Sequence, residues 1–323
     1  MECSLPPAEV SASPNLEGLV VAVVGAGRIG AEVIRNLDRM GVGRIDVYES
    51  DARAAALLRD RHVVHLGNFW DELTLARLRH YDFAICTVDD PGARVRMNQK
   101  CLIANVNLML VWTEGAGAVV AAYPFDALDD CACHECGTVR EARPMSIAAL
   151  RLTVADLPPQ AADAASIATA SIAAGLAAAL IPRIAVGVGR YVSRRATLDS
   201  STGQGTSLEL PRDPQCVRCK GLQRPVPIVR TRNRWNVPAH VRTAFPEALE
   251  QGLELSDAIG DEPGHRYRMG ELAERFRGGP IPAKFALTVV DGRVVCLDFE
   301  APHPDETALQ TRSGADPGRC TTN

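Results

Sequence analysis

The chain has 323 residues, 46% of them hydrophobic and 5% aromatic, with a formal net charge of −4 and an isoelectric point near 6.0. That length and apolar content fit one main domain with a smaller appendage, and the mild acidity supplies no attraction for nucleic acid or an anionic membrane. Met1 and Glu2 lead into a Pro/Ala/Ser-rich stretch to about Asn15 without the basic start and apolar run of a secretory signal, so the cytoplasm is the expected compartment and the ten cysteines are expected as thiols or metal ligands rather than disulfides.

In chain order, Leu19–Val24 is a continuous apolar run of strand length, as expected for a central parallel strand covered on both faces. The loop Gly25-Ala26-Gly27-Arg28-Ile29-Gly30 follows, then a helix from about Ile29 to Met40 with apolar positions at Ile29, Val33, Leu37 and Met40 and Gly41 placed to end it. Arg44–Glu49 makes the second strand, with Glu49 at its end. In this strand, glycine loop, helix, strand unit, the glycines Gly25, Gly27 and Gly30 allow a sharp turn and a close approach to phosphates, helix amides receive negative charge, and the carboxylate can bind ribose hydroxyls. The alternative is a glycine turn that only permits tight packing of helix on strand.

Further elements are a helix at Ala52–Asp60, an extended His62–Leu66, a helix at about Asp71–His80 and a buried strand at Asp82–Val88 that ends in Asp89-Asp90. Carboxylates at the carboxyl end of a strand in an open α/β sheet lie where ligands bind, which makes Asp89 a candidate for magnesium or a reacting group. Its competing role is the N-cap of a helix at Arg94–Ala104. Two doublets, Cys133-His134-Glu135-Cys136 and Cys216-Val217-Arg218-Cys219, have the spacing of a tetrahedral Cys₄ zinc site, with Cys131 and His134 as neighbouring alternatives. Cys86 and Cys101 read as buried hydrophobes, and His62, His65 and His80 have no visible partner set.

Ala164–Ile181 is Ala-rich and apolar, interrupted by Ser166, Thr169, Ser171 and Gly175; it reads as a packed core or interface helix rather than a membrane span. Small residues at Ala168, Ser171, Gly175 and Ala179 permit close helix approach and an isologous homodimer. Past the second doublet, Arg218, Lys220, Arg224, Arg230, Arg232 and Arg234 form a basic stretch, either a solvated linker or a docking strip for an acidic peptide or a phosphate. Short helices are expected at Pro246–Leu253 and Met269–Phe276, and Phe285–Phe299 reads as a hairpin turning at Asp291-Gly292 in type I′ geometry. The expected organisation is a flexible arm over 1–18, a nucleotide-binding domain with the cysteine doublets over 19–220, a small α+β unit over 221–300 and a disordered tail over 301–323.

On these residues the sequence resembles the ThiF/MoeB family, bacterial relatives of ubiquitin-activating enzymes, from about Leu19 to Cys219. The stretch Val24–Glu49 looks like the family's opening; Asp89, Arg94 and Asn98 match its D-N-x-x-x-R-x-x-x-N pattern with Asp90 in place of Asn; and Pro211–Cys216 looks like the approach to its second zinc knuckle. The resemblance implies an α/β, Rossmann-like fold, often dimeric, with a structural zinc, that binds ATP and magnesium and adenylates a carboxylate, commonly the C-terminus of a small protein or peptide. It places Gly25, Gly27 and Gly30 under the phosphates, Glu49 on the ribose, Asp89 as the magnesium-linked acid, Arg53 where the family has a phosphate-binding lysine, and zinc on Cys133, Cys136, Cys216 and Cys219.

Three departures stand beside these matches. The family's phosphate-binding segment between the second strand and the next helix is missing, since Glu49 runs almost directly into Ala52-Arg53-Ala54. No arginine precedes Arg28, so residues 1–27 cannot lend one to a neighbouring subunit. No cysteine lies between Cys136 and Cys216, which argues against thioester transfer. Three functions therefore stay open: an adenylating enzyme acting on a peptide or small carboxylate in a biosynthetic pathway, a non-catalytic member that binds a peptide and presents it to a partner enzyme, and an NAD-binding Rossmann protein.

Overall fold

A computed structural model of the chain describes residues 15–58, 62–126, 131–138, 164–185, 192–216, 218–220, 222, 224–230, 252–256, 265–268, 271–272, 283–290 and 292–300. Its main layer is an eight-stranded sheet of β1 (Val20–Val24), β2 (Arg44–Glu49), β3 (Val63–Leu66), β4 (Phe83–Cys86), β5 (Asn107–Glu114), β6 (Gly117–Tyr123), β7 (Arg194–Asp199) and β8 (Gly205–Glu209). They are ordered β3-β2-β1-β4-β5-β6-β7-β8. β3 through β5 pair in parallel, and β6, β7 and β8 continue antiparallel. The chain winds outward from β1 to β3, then returns to the other side of β1 with β4. The carboxyl ends of β1 and β4 therefore bound a crevice at the point where the order reverses, the usual place for a ligand in an open α/β sheet.

Both faces of the parallel part are covered, which is why β1 is apolar throughout. On one face α1 (Arg28–Arg39) and α7 (Ala164–Ala185) bury Val33, Ile34, Leu37, Ala173, Ala177 and Ile181 against Val21, Val23, Met109 and Val120. α7 has the length and apolarity of a membrane span over Ile167–Ala185, yet its alanine face packs in this core, as the core-helix reading expected. On the other face lie α3 (Phe69–Glu72), α4 (Leu75–Leu78), α5 (Pro91–Ala104), α6 (His134–Thr138) and the cysteine doublets, whereas α2 (Ala52–Ala56) turns Ala54 toward the α1 side. The core there runs from Val24, Leu108 and Leu110 through Met97 and Phe125 to the four doublet cysteines.

Local chemistry moved several boundaries. The single helix expected over Asp71–His80 is two short ones: Leu73 leaves helical geometry at φ −94, ψ 82, Thr74 caps Arg77 N–H at 3.1 Å, and Glu300 accepts from Leu75 N–H at 3.1 Å. The Leu73 carbonyl is taken by fully buried Lys100, whose ammonium also donates to Trp70 O and lies 4.5 Å from the Trp70 ring. α5 begins at Pro91 rather than Arg94, with proline in the first turn where its missing N–H costs nothing. The helix expected over Ala52–Asp60 ends at Ala56; Asp60 lies outside the described residues.

A second sheet, ordered β10-β11-β12-β9, comprises β9 (Ile228–Arg230), β10 (Glu254–Leu255), β11 (Phe285–Val290) and β12 (Arg293–Asp298). The expected hairpin is present with Val290 opposite Arg293, and Gly292 has the positive φ of +72 that a type I′ turn requires; Asp291 lies outside the described residues. One face of this sheet joins the main core through Phe285, Leu287 and Cys296, with Phe285 6.0 Å from the Trp70 ring. The other buries Leu253, Leu255, Tyr267 and Leu297. The expected helix Pro246–Leu253 does not reach its stated end: Leu253 is bridged to Tyr267 and Glu254 enters β10. Residues 246–251, most of Met269–Phe276, Arg232, Arg234, residues 1–14 and the tail from 301 lie outside the described residues.

Candidate nucleotide cleft and cysteine site

The glycine loop leaves β1 in a conformation that two of its glycines require. Gly25 sits at φ +91, donates to Tyr48 O at 2.9 Å, and its carbonyl accepts the Thr87 hydroxyl at 2.9 Å. A Cβ on Gly30 would fall onto the Gly25 carbonyl, so α1 approaches the loop only with glycine there. The loop, the end of β2 and the end of β4 enclose a cleft of about 360 Å³ lined by Gly25, Gly27, Arg28, Glu49, Ser50 and Asp89, with Thr113 of β5 and Ala170 of α7 on its far wall. The predicted Gly25, Gly27, Glu49 and Asp89 thus come together, and Gly30 supports them from beneath.

Glu49 is buried and already bonded. One carboxylate oxygen accepts from Ala26 N–H at 2.5 Å and the other from Asp51 N–H at 2.8 Å, so it pins the glycine loop to the turn after β2. Each oxygen keeps a further lone pair for a ligand hydroxyl. Asp89 is the opposite case: its side chain is 80% exposed and its nearest cation is Arg94 at 3.8 Å. The helix cap is Asp90, whose carboxylate accepts from Gly92 and Ala93 N–H at 3.0 Å each, so capping and Asp89 are separate. Arg94 lies over the Trp112 ring at 5.0 Å, with one guanidinium nitrogen buried and lacking a hydrogen-bond partner. Arg53 is exposed on α2 and does not line the cleft.

The four doublet cysteines are all buried and their sulfurs lie within 4.8 Å of one another. Neighbouring sulfurs are 3.7 Å apart (Cys133–Cys136), 3.6 Å (Cys133–Cys216) and 3.3 Å (Cys136–Cys219). A tetrahedral thiolate site with bonds of about 2.3 Å separates its sulfurs by about 3.8 Å, so this donor set fits a metal. His134 stays outside the set, accepting or donating at 3.1 Å to the Tyr123 hydroxyl; burial first, then the charges of Arg94 and Arg195, bring its pKa down to about 4. Cys131 instead contacts Arg224 at 3.2 Å.

A buried polar chain frames the cysteines. Fully buried Asn98 of α5 accepts from His134 N–H at 2.9 Å and donates to Glu135 at 3.1 Å. Arg218, between the second pair of cysteines, donates to Glu135 at 2.9 Å and to Glu254 of β10 at 3.0 Å. Burial raises the pKa of both glutamates while Arg218 pulls it down. Arg218 therefore belongs to the interior rather than to a linker or docking strip, and half-buried Arg224 donates to Phe125 O at 2.9 Å. Sequence reasoning missed Asn98, Glu135 and Thr87 as positioning groups; the D-N-x-x-x-R-x-x-x-N likeness pointed at Asn98 without saying what it holds.

No protein-family model matches the chain, and no curated protein matches it in sequence. Solved structures do match. The microcin C7 biosynthetic enzyme MccB in complex with N-formylated MccA superposes with a TM-score of 0.51 at 19% identity, covering 64% of this chain and 68% of that chain. E. coli MccB with AMPCPP and MccA gives 0.51 at 20% identity over 64% and 67%, and E. coli MccB alone gives 0.50 at 20% over 64% and 66%. At such identities the likeness is one of fold: the chain shares the Rossmann-like α/β architecture of MccB, as its resemblance to the ThiF/MoeB family led one to expect.

Proposed function

We propose that the chain is an ATP- and magnesium-dependent adenylating enzyme that activates a carboxylate of a peptide or small molecule in a biosynthetic pathway. The observation that carries this reading is the convergence of the glycine loop, Glu49 and Asp89 on one cleft at the switch point of the sheet. The fold likeness to MccB, which is seen with AMPCPP and with MccA, supports a nucleotide and a peptide as the two reactants. In this reading the amides at the start of α1 face the phosphates, Glu49 receives ribose hydroxyls, and Asp89 holds magnesium, which supplies the charge neutralisation needed when a carboxylate attacks the α-phosphate and pyrophosphate leaves. Zinc on Cys133, Cys136, Cys216 and Cys219 is structural, because four thiolates close its coordination.

The test is carboxylate-dependent ATP–pyrophosphate exchange with candidate acids and peptides. Exchange above the carboxylate-free background is the expected result; a chain that binds no ATP with magnesium overturns the reading. The sparse positive charge of the cleft favours a second reading, a peptide-binding member that presents substrate to a partner enzyme, which needs the fold and the zinc but no magnesium site. A homodimer belongs to either reading. Ala168, Ser171, Gly175 and Ala179 are exposed along one face of α7, and light scattering should report twice the chain mass at micromolar concentration.

A further inference from the structure

Two carboxylates line the cleft, Glu49 and Asp89, and among the described residues that line it Arg28 has the one cationic side chain. A nucleotide carrying phosphates would meet both carboxylates in a cleft of that composition, and Arg28 is the lining side chain that can offset one of those charges. We propose that Arg28, inside the glycine loop itself, is the counter-ion for the phosphates, taking over from the missing segment between β2 and α2; this assignment rests on the nucleotide reading above.

Three features of the loop support it. Arg28 is the first residue of α1, directly after Gly27, and the first turn contains no acidic residue and no side-chain cap, so the amides there keep their affinity for an anion. Gly27 has ordinary backbone angles, φ −62 and ψ −163, and a Cβ on it would meet nothing within 4 Å. Neither backbone conformation nor packing among the described residues calls for glycine at 27. What its missing side chain does is keep space open beside the Arg28 backbone, where an approaching phosphate oxygen needs it. Arg53, the residue placed at the phosphates by family likeness, stands outside the cleft lining.

The charge balance also sets the ligand class. One guanidinium with the helix amides can accommodate a diphosphate, whereas a triphosphate beside Glu49 and Asp89 needs a divalent cation as well. The assignment therefore predicts that ADP binds without magnesium and that ATP binding is strongly magnesium-dependent.

The experiment is calorimetric titration of the full chain with ADP, and with ATP with and without magnesium, comparing wild type with Arg28→Gln and Arg28→Lys alongside ligand-free melting curves. The expected result is that Arg28→Gln weakens ADP about tenfold or more, that lysine restores part of the loss, and that the ligand-free melting temperatures do not follow the order of the ADP affinities. ADP affinity unaltered in Arg28→Gln overturns the assignment and leaves the nucleotide reading standing. A loss that accompanies a lowered ligand-free melting temperature and is not restored by lysine also overturns it, as the mark of a structural role. A wild type that binds neither ADP nor ATP with magnesium ends the nucleotide reading and this assignment with it.

Discussion

The cysteine site and the nucleotide cleft share a sheet but are organised by different means. Around the cysteines, polar groups have fixed protein partners: Asn98, Glu135, Arg218 and Glu254 form one hydrogen-bonded chain, and the side chains of Glu135, Arg218 and Glu254 are each about 10% exposed. In the cleft, Asp89 is 80% exposed with a cation no nearer than 3.8 Å. The first region is completed by the fold, apart from its metal. The second, in the proposed reading, is completed by its ligand. It follows that substitutions near the cysteines should act on stability, and substitutions in the cleft on binding and turnover.

The largest effect tests the first half of that contrast. Metal analysis of the purified chain should return one zinc per chain, and Cys216→Ser should lose metal and stability together. Binding of structural zinc is worth on the order of 10 kcal/mol in small domains, and here it would join segments 83 residues apart in sequence. A metal-free chain that melts cooperatively at the same temperature as the metal-loaded one would falsify the structural role.

Next in size is the ion chain. Arg218→Met leaves Glu135 and Glu254 buried without their shared counter-charge, and breaking a buried pair by removing one partner costs about 3–5 kcal/mol. Adding Glu135→Gln should recover part of that loss, because it removes one of the stranded charges. Denaturant unfolding of the single and double variants measures both; a loss below about 1 kcal/mol would mean that water reaches these carboxylates in solution.

The contrast also explains what was legible in the sequence. The unit from β1 to β2 was readable because each step is local: an apolar run, glycines with a steric need, and an acid at a strand end. The cysteine spacing was readable for the same reason. β5 to β8 were not marked in advance. β5 is an unbroken apolar run following a helix, where periodicity cannot separate strand from helix, and β7 and β8 (R-R-A-T-L-D and G-T-S-L-E) are half-buried to exposed and carry little apolar pattern. The broken helix at Leu73 depends on Lys100 and Glu300, partners that only the tertiary fold supplies. Arg218 was read as part of a basic surface stretch because its two glutamate partners come from distant segments.

Turning to the cleft, Asp89→Ala should lower ATP–pyrophosphate exchange about a hundredfold or more while leaving unfolding free energy within about 0.5 kcal/mol of wild type, as expected for an exposed side chain away from structural features. Exchange that survives in the folded variant removes Asp89 from the chemistry. An equal loss of stability would instead place it in the framework, on the cysteine side of the contrast.

Its neighbour gives the smallest effect and the sharpest control. Asp90 differs from Asp89 by one position, yet both of its carboxylate oxygens are committed to the first turn of α5, at 3.0 Å from Gly92 and Ala93 N–H. Losing such a cap costs about 1 kcal/mol, with asparagine close to neutral because its amide oxygen still accepts the bond. Asp90→Ala should therefore lower unfolding free energy by about that amount and leave exchange within a few fold, and Asp90→Asn should do neither. If Asp90→Ala instead abolishes exchange at undiminished stability, the roles of the two aspartates are reversed. If it costs stability and exchange in proportion, the start of α5 is a shared element, because that turn also carries Arg94 toward Asp89 and Trp112. The two-aspartate comparison thus locates the border between the part of this molecule that the fold completes and the part that waits for a ligand.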